Sequence, residues 1–282
     1  MCKIKRLINL VIPVGTCNLG CAYCYISQKN SWGRGKFPKL PYGIATAAKA
    51  LSVKRMGGAC YINICGEGET LLPDYITDFI KLLLEDGHYL FIITNGTMTD
   101  RIEQILTFPR ALLKRLGFKF SYHYLELKRL GLIEQFFDNA KRLRVAGASV
   151  VLEIGNSDEY VKYVDDIKKN SIENMGALPH ILELRDNSVA HQPRLTTLPL
   201  DEYMEIWRSF DSPMFQLLTE CRDIKRREFC YAGDWAINIL ALTGEITQCF
   251  IGWDIIGNIY DDVDMPLCFA AIGSNCRAPY CL

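Results

Sequence analysis

Residues 8 to 27 read "INLVIPVGTCNLGCAYCYIS". The apolar, β-branched opening, closed by Pro13 and Gly15, has the pattern of a buried strand. The loop that leaves it carries Cys17, Cys21 and Cys24 in a CxxxCxxC array. Three thiols are one short of the four ligands that close a structural zinc site. In a cubane iron–sulfur cluster, by contrast, a thiolate trio holds three of the four irons and leaves one open to an outside ligand. Taken alone, the array also admits a zinc site or a set of buried thiols.

Downstream, short apolar or aromatic runs alternate with amphipathic stretches as far as about residue 185. This is the signature of repeated βα units. Candidate strands lie at 8–14, 60–65, 89–94, 118–124, 149–154 and 180–184. Between them, "PDYITDFIKLLLEDG" aligns Ile76, Phe79, Ile80, Leu83 and Leu84 on one helical face and closes at Gly87. "LIEQFFDNAKRLRVAG" does the same before Gly147. An α/β chain of this kind predicts an open, partial (β/α)6 TIM-like barrel, with its chemistry at the C-terminal ends of the strands. The alternation stops after about residue 190. The text from 215, with two short strands around Thr243-Gly244 and then a loop, predicts a small Cys-rich module containing a β-hairpin. The expected division is therefore 1–200 for the barrel and 215–282 for the second module.

Lys+Arg and Asp+Glu balance at 32 each in 282 residues, so no charge field points to nucleic acid or to a membrane surface. The twelve cysteines gather at the two ends of the chain, which suits metal ligation better than a disulfide frame. Lys3, Lys5 and Arg6 ahead of a short apolar run imitate a signal peptide, but the run meets Pro13 and then the cysteine array without a cleavage site. It reads as a first strand, and the expected setting is a reducing cytoplasm. No segment reaches the length of a membrane span.

Two further stretches sit at strand ends. In "CGEGETLL" (65–72), glycines allow close backbone approach to a ligand and a carboxylate can take a cationic amine. In "FSYHY" (120–124), alternation sets Ser121 and His123 on one face and Phe120, Tyr122 and Tyr124 on the other. With the aromatic Tyr23 before Cys24, the array resembles the CxxxCxφC signature of the radical S-adenosylmethionine superfamily. The resemblance implies that Cys17, Cys21 and Cys24 hold a [4Fe–4S] cluster whose open iron is chelated by S-adenosylmethionine. It implies Tyr23 near the adenine, Gly68 and Glu69 at the methionine ammonium, and Ser121 near the ribose. Asn95, Glu153 and Arg185 are candidates for the cofactor's carboxylate and ribose. His123 stands where relatives often carry an acid. It is a candidate substrate contact or proton acceptor, with a hydrogen-bonded core histidine as the alternative.

Thirteen residues separate Cys230 from Gly244, and four separate Gly244 from Cys249. This is similar to the element opening the SPASM and twitch domains of that superfamily. It implies one auxiliary [4Fe–4S] cluster on Cys230, Cys249, Cys276 and Cys281, with Cys268 as an alternative ligand. Zinc is the rival for this second site, because four thiolates alone do not choose the metal. Cys2, Cys60, Cys65 and Cys221 fall outside both patterns and read as small buried hydrophobes.

The resemblance implies reductive cleavage of S-adenosylmethionine to a 5′-deoxyadenosyl radical, which takes a hydrogen atom from a substrate C–H bond. The auxiliary cluster would accept the electron left behind. A one-electron reductant such as flavodoxin or ferredoxin is the implied partner. The expected substrate is a peptide or protein side chain, although the residues before 17 leave no room for a fused peptide-recognition domain. The alternatives are oxidation of a small polyol or aminosugar, and a metal-binding or redox-sensing module without turnover.

Overall fold

The structure is a computed structural model that describes residues 3–31, 38–189, 191–249, 254–274, 276–278 and 281. Cys2 lies outside them. Six parallel strands follow one another across the sheet as β1 (Leu7–Ile12), β2 (Tyr61–Gly66), β3 (Tyr89–Thr94), β4 (Leu116–Ser121), β5 (Ser149–Gly155) and β6 (His180–Leu182). Three more, β7 (Ala236–Leu240), β8 (Glu245–Thr247) and β9 (Ile255–Asn258), extend the same sheet from β1. Among the described residues the order is β6-β5-β4-β3-β2-β1-β7-β8-β9, an open sheet that does not close on itself.

Period-2 patterning decides which face each residue takes. Ile8, Leu10, Ile12, Ile62, Ile64, Leu90, Ile92, Phe118 and Phe120 are buried under the helices. Helix Ile76–Asp86 brings Ile76, Phe79, Ile80, Leu83 and Leu84 to that layer, all fully buried. Each such side chain contributes about 2 kcal/mol by leaving water. The helix stops at Gly87, whose φ of 114° is the left-handed C-cap expected from the sequence. Helix Ile133–Ala146 ends in the same way at Gly147.

The alternate residues line the half-buried inner face of the open barrel. One register row runs Asn238, Asn9, Asn63, Phe91, Gly117 across five strands, above the row of Ala236, Leu7, Tyr61 and Tyr89. The asparagines hydrogen-bond in a ladder: Asn63 Nδ2 donates to Asn9 Oδ1 at 2.8 Å, and Asn9 Nδ2 to Asn238 Oδ1 at 2.7 Å. In the next row Val11 faces Cys65, and Ile93 faces Lys119. Above it, at the C-terminal ends, Ser121 faces Glu153.

Two details depart from the sequence reading. The fourth strand ends at Ser121 rather than 124, because Tyr124 opens helix Tyr124–Leu130. Over residues 122–124 alone, periods of 2 and 3.6 cannot be told apart. The loop expected after the hairpin contains β9, which pairs antiparallel with β8.

The C-terminal part of the chain is also stitched to the barrel by side chains. Buried Arg55 donates to the carbonyls of Met265, Ala50, Ile259, Asp261 and Asp262. Arg6 pairs with Asp234 and lies over the Phe269 ring, 3.9 Å from its centroid. No helix among the described residues is long and apolar enough to cross a membrane.

Candidate active site

The loop after β1 carries the cysteine trio, and the loop after β2 is pinned to it. Glu69 N donates to Thr16 O at 2.9 Å. Gly68, at φ 127°, packs so closely that an added β-carbon would stand 1.8 Å from the same carbonyl oxygen. Glycine is therefore demanded at position 68 by loop-on-loop contact, quite apart from any ligand. Glu69 is 2% exposed, and its carboxylate accepts from Leu71 N (2.9 Å), Thr94 Oγ1 (2.6 Å) and Asn95 N (2.7 Å). Burial raises its pKa, opposed by these donors. Three of about four lone-pair positions are thus filled from within, leaving one for a ligand cation.

Asn95 reaches from the end of β3 into the cysteine loop. Its Nδ2 lies 3.6 Å from Cys17 Sγ and donates to Asn18 Oδ1 at 2.7 Å, while its Oδ1 accepts from Thr97 N and Oγ1. Asn18 completes the ring by donating to Thr97 Oγ1 at 2.7 Å. From the opposite side, Glu126 Oε2 accepts Gly20 N at 3.0 Å. Gln28 donates to Tyr23 O and to Arg185 O, which ties the segment after β6 to the same loop. Asn18, Gln28 and Glu126 were not legible as site residues. Each is a lone polar residue whose partner lies up to 157 positions away.

Burial pushes the Cys17 thiol up to about 11. Burial first, and then the neighbouring Cys17 and Cys24, push Cys21 up to about 12. The three are close enough to act on one another electrostatically. Yet among the described residues no three His, Cys, Asp or Glu side chains converge on one metal ion. Three thiolates on one loop suit a group of several irons, each thiolate taking a different one.

Tyr23 turns its ring across the site to the turn after β4 and the segment beyond β5. Its hydroxyl is 2.7 Å from His123 Nδ1 and 2.9 Å from Tyr160 Oη. Burial pushes His123 down to about 4, so the imidazole is neutral near pH 7. Beneath it, Lys119 Nζ donates to Glu153 Oε1 at 2.6 Å, so Glu153 already has a cation partner. Ser121 is half-buried beside that pair. Cys65 faces the same space, with Sγ 3.4 Å from Asn9 Oδ1. Cys17, Cys21, Tyr23, Cys24, Gly68, Glu69, Asn95, Ser121, His123 and Glu153 thus lie around one mouth, with Arg185 joined to it through Gln28.

A second thiol group lies in the C-terminal part of the chain. Residues 230 and 273 exchange backbone hydrogen bonds, N to O at 3.0 and 2.9 Å, which lays the tail against Cys230. Lys225 Nζ donates to Cys276 O at 2.7 Å. The Cys281 thiol is raised by burial and then by Cys249 and Cys230, with Cys276 adding and Arg226 opposing. Cys268, like Cys281, is exposed. Cys60 is fully buried, as expected of a small hydrophobe, whereas Cys65 looks into the barrel.

Comparison with known proteins bears on this geometry. The profile of the radical SAM superfamily matches residues 11–169, more than half of the chain. Streptococcus suis SuiB bound to S-adenosylmethionine superposes with a TM-score of 0.61 at 15% identity, over 92% of this chain and 65% of SuiB. SuiB bound to its precursor peptide SuiA gives 0.60 at 16% identity, over 93% and 65%. Native anSMEcpe with bound AdoMet gives 0.60 at 15% identity, over 91% and 79%. This chain therefore spans about two thirds of the length of SuiB, 65%. A search of curated proteins returned no match.

Proposed function

The chain belongs to the radical SAM superfamily, whose enzymes bind a [4Fe–4S] cluster and S-adenosylmethionine. From that premise we propose that it abstracts a hydrogen atom from a peptide or protein side chain. The observation that carries the reading is the junction of two motifs at one barrel mouth: Cys17, Cys21 and Cys24 on one loop, bonded through Thr16 to the Gly68-Glu69 loop.

Cys17, Cys21 and Cys24 would hold the cluster, and loading it would displace the protons that burial keeps on Cys17 and Cys21. When bound, the cluster and S-adenosylmethionine supply a 5′-deoxyadenosyl radical that removes the substrate hydrogen. Glu69 offers its remaining lone pair to the methionine ammonium. Asn95, held by Asn18 and Thr97, fixes the face of the site beside Cys17. Tyr23 and Ser121 are the candidates for the adenosine half. Neutral His123, oriented by Tyr23, faces the substrate as a polar contact. Lys119 and Glu153 form the charged floor, and the helix-covered sheet keeps water away from the layer beneath.

Cys230, Cys249, Cys276 and Cys281 would hold an auxiliary [4Fe–4S] cluster in a twitch-like module over 215–282, following a barrel over 1–200. That group would take the electron remaining on the substrate, with an external carrier completing the cycle. Two similar structures hold peptides, SuiB with SuiA and anSMEcpe with the Cp18Cys peptide, which supports the peptide class for this chain.

The test uses anaerobically reconstituted protein, S-adenosylmethionine, a reductant and deuterated candidate substrates. Deuterium transferred from a peptide into 5′-deoxyadenosine supports the reading. Transfer only from a polyol or aminosugar replaces the peptide with a small molecule.

A further inference from the structure

The strap between helix Pro213–Cys221 and Cys230 is exposed along residues 223–229, and it adjoins the second thiol group directly. Lys225 Nζ grips the carbonyls of Cys276 and Ala278, which brackets exposed Arg277 beside the strap. Arg226 lies near enough to Cys281 to act on it, and its Nη1 is 3.2 Å from Cys221 Sγ. Four cations, Lys225, Arg226, Arg227 and Arg277, therefore stand against two carboxylates, Asp223 and Glu228, on a chain whose overall charge is zero.

The same surface is not simply a solvated charged loop. Ile224, Phe229 and Tyr231 are 53%, 54% and 63% exposed, and the last two rings pack 4.8 Å apart. A shallow cavity of about 500 Å³ is lined by Ile224 to Glu228. Exposed apolar groups rimmed by cations have the anatomy of a protein-docking patch for an acidic partner.

We propose that this strap docks an acidic one-electron carrier protein, which exchanges a single electron with the auxiliary centre behind it. The proposal rests on the reading of Cys230, Cys249, Cys276 and Cys281 as cluster ligands. It commits to a redox carrier because the patch abuts those thiols. No bond forms or breaks: the carrier gains the one electron that the centre loses, or the reverse.

The test uses the anaerobic holoenzyme with fully reduced flavodoxin as probe and electron donor, comparing the wild type with Arg227→Glu/Arg277→Glu and with Phe229→Ala. Flavodoxin affinity is read by titration, and electron transfer by bleaching of the cluster absorbance. At low ionic strength the double charge reversal is expected to weaken binding and slow transfer about tenfold. The wild-type advantage should fade as salt is raised. Bleaching by dithionite should be unchanged in all three proteins. About eight irons per chain with unchanged flavodoxin affinity would overturn the docking proposal alone. About four irons would overturn the auxiliary-cluster reading and the docking proposal together.

Discussion

The carbonyl oxygen of Thr16 lies 1.8 Å from the point that a β-carbon on Gly68 would occupy. One glycine thereby lets the Glu69 loop close over the cysteine loop. Gly68→Ala must either push the two loops apart or abandon a φ of 127°. The expected cost is about 2 kcal/mol or more, with loss of iron from the Cys17 site. Gly43→Ala is the control, since it shares a positive φ but meets nothing within 4 Å. It should cost about 1 kcal/mol and leave the iron content unchanged. Denaturant titration and iron assay read both.

The path from Thr16 to Gly68 also marks how far the sequence could be read. The CxxxCxxC array, the Gly68-Glu69 loop and the buried strands announce themselves through local spacing and period-2 burial, because each is a contiguous pattern. Asn18, Gln28 and Glu126 do not, because their partners are brought near only when the sheet forms. Lys119 was hidden for another reason: within "FKFS" it is one more alternating strand residue, and only the register opposite β5 gives it Glu153. The tail was partly legible. Its cysteines were countable, but the backbone pairing of 230 with 273 that draws Cys276 and Cys281 toward Cys230 has no local signature.

His123 yields a pH prediction. Its folded pKa, about 4, is below the ordinary 6.5, because burial disfavours the charged ring. The neutral ring's contribution is present in full above pH 6.5 and is lost as pH falls from there toward 4. His123→Gln removes that proton linkage, so its unfolding midpoint should decline less between pH 7 and pH 5 than that of the wild type. Parallel slopes would place the linkage elsewhere.

Lys119 and Glu153 make a half-buried ion pair, with side chains 20% and 14% exposed. Lys119→Met should leave the Glu153 charge stranded on the inner face and cost about 2 kcal/mol. Lys119→Met/Glu153→Gln should recover part of that loss. A double-mutant cycle on unfolding free energy measures the coupling, and strictly additive losses would mean the pair contributes nothing.

Among the tail cysteines, Cys249, Cys230 and Cys276 act on Cys281. Cys268→Ala should therefore retain about eight irons per chain. Cys230→Ala or Cys281→Ala should fall to about four. The reverse pattern would exchange Cys268 for one of the proposed ligands.

The most direct measurement is 5′-deoxyadenosine released from S-adenosylmethionine by anaerobically reconstituted protein with reductant. Wild type is to be compared with Cys17→Ala/Cys21→Ala/Cys24→Ala. The expected result is reductant-dependent release by the wild type and none above background from the triple variant, which keeps about four irons in the tail. Equal release from both proteins would contradict the assignment of this barrel mouth as the site of the chemistry.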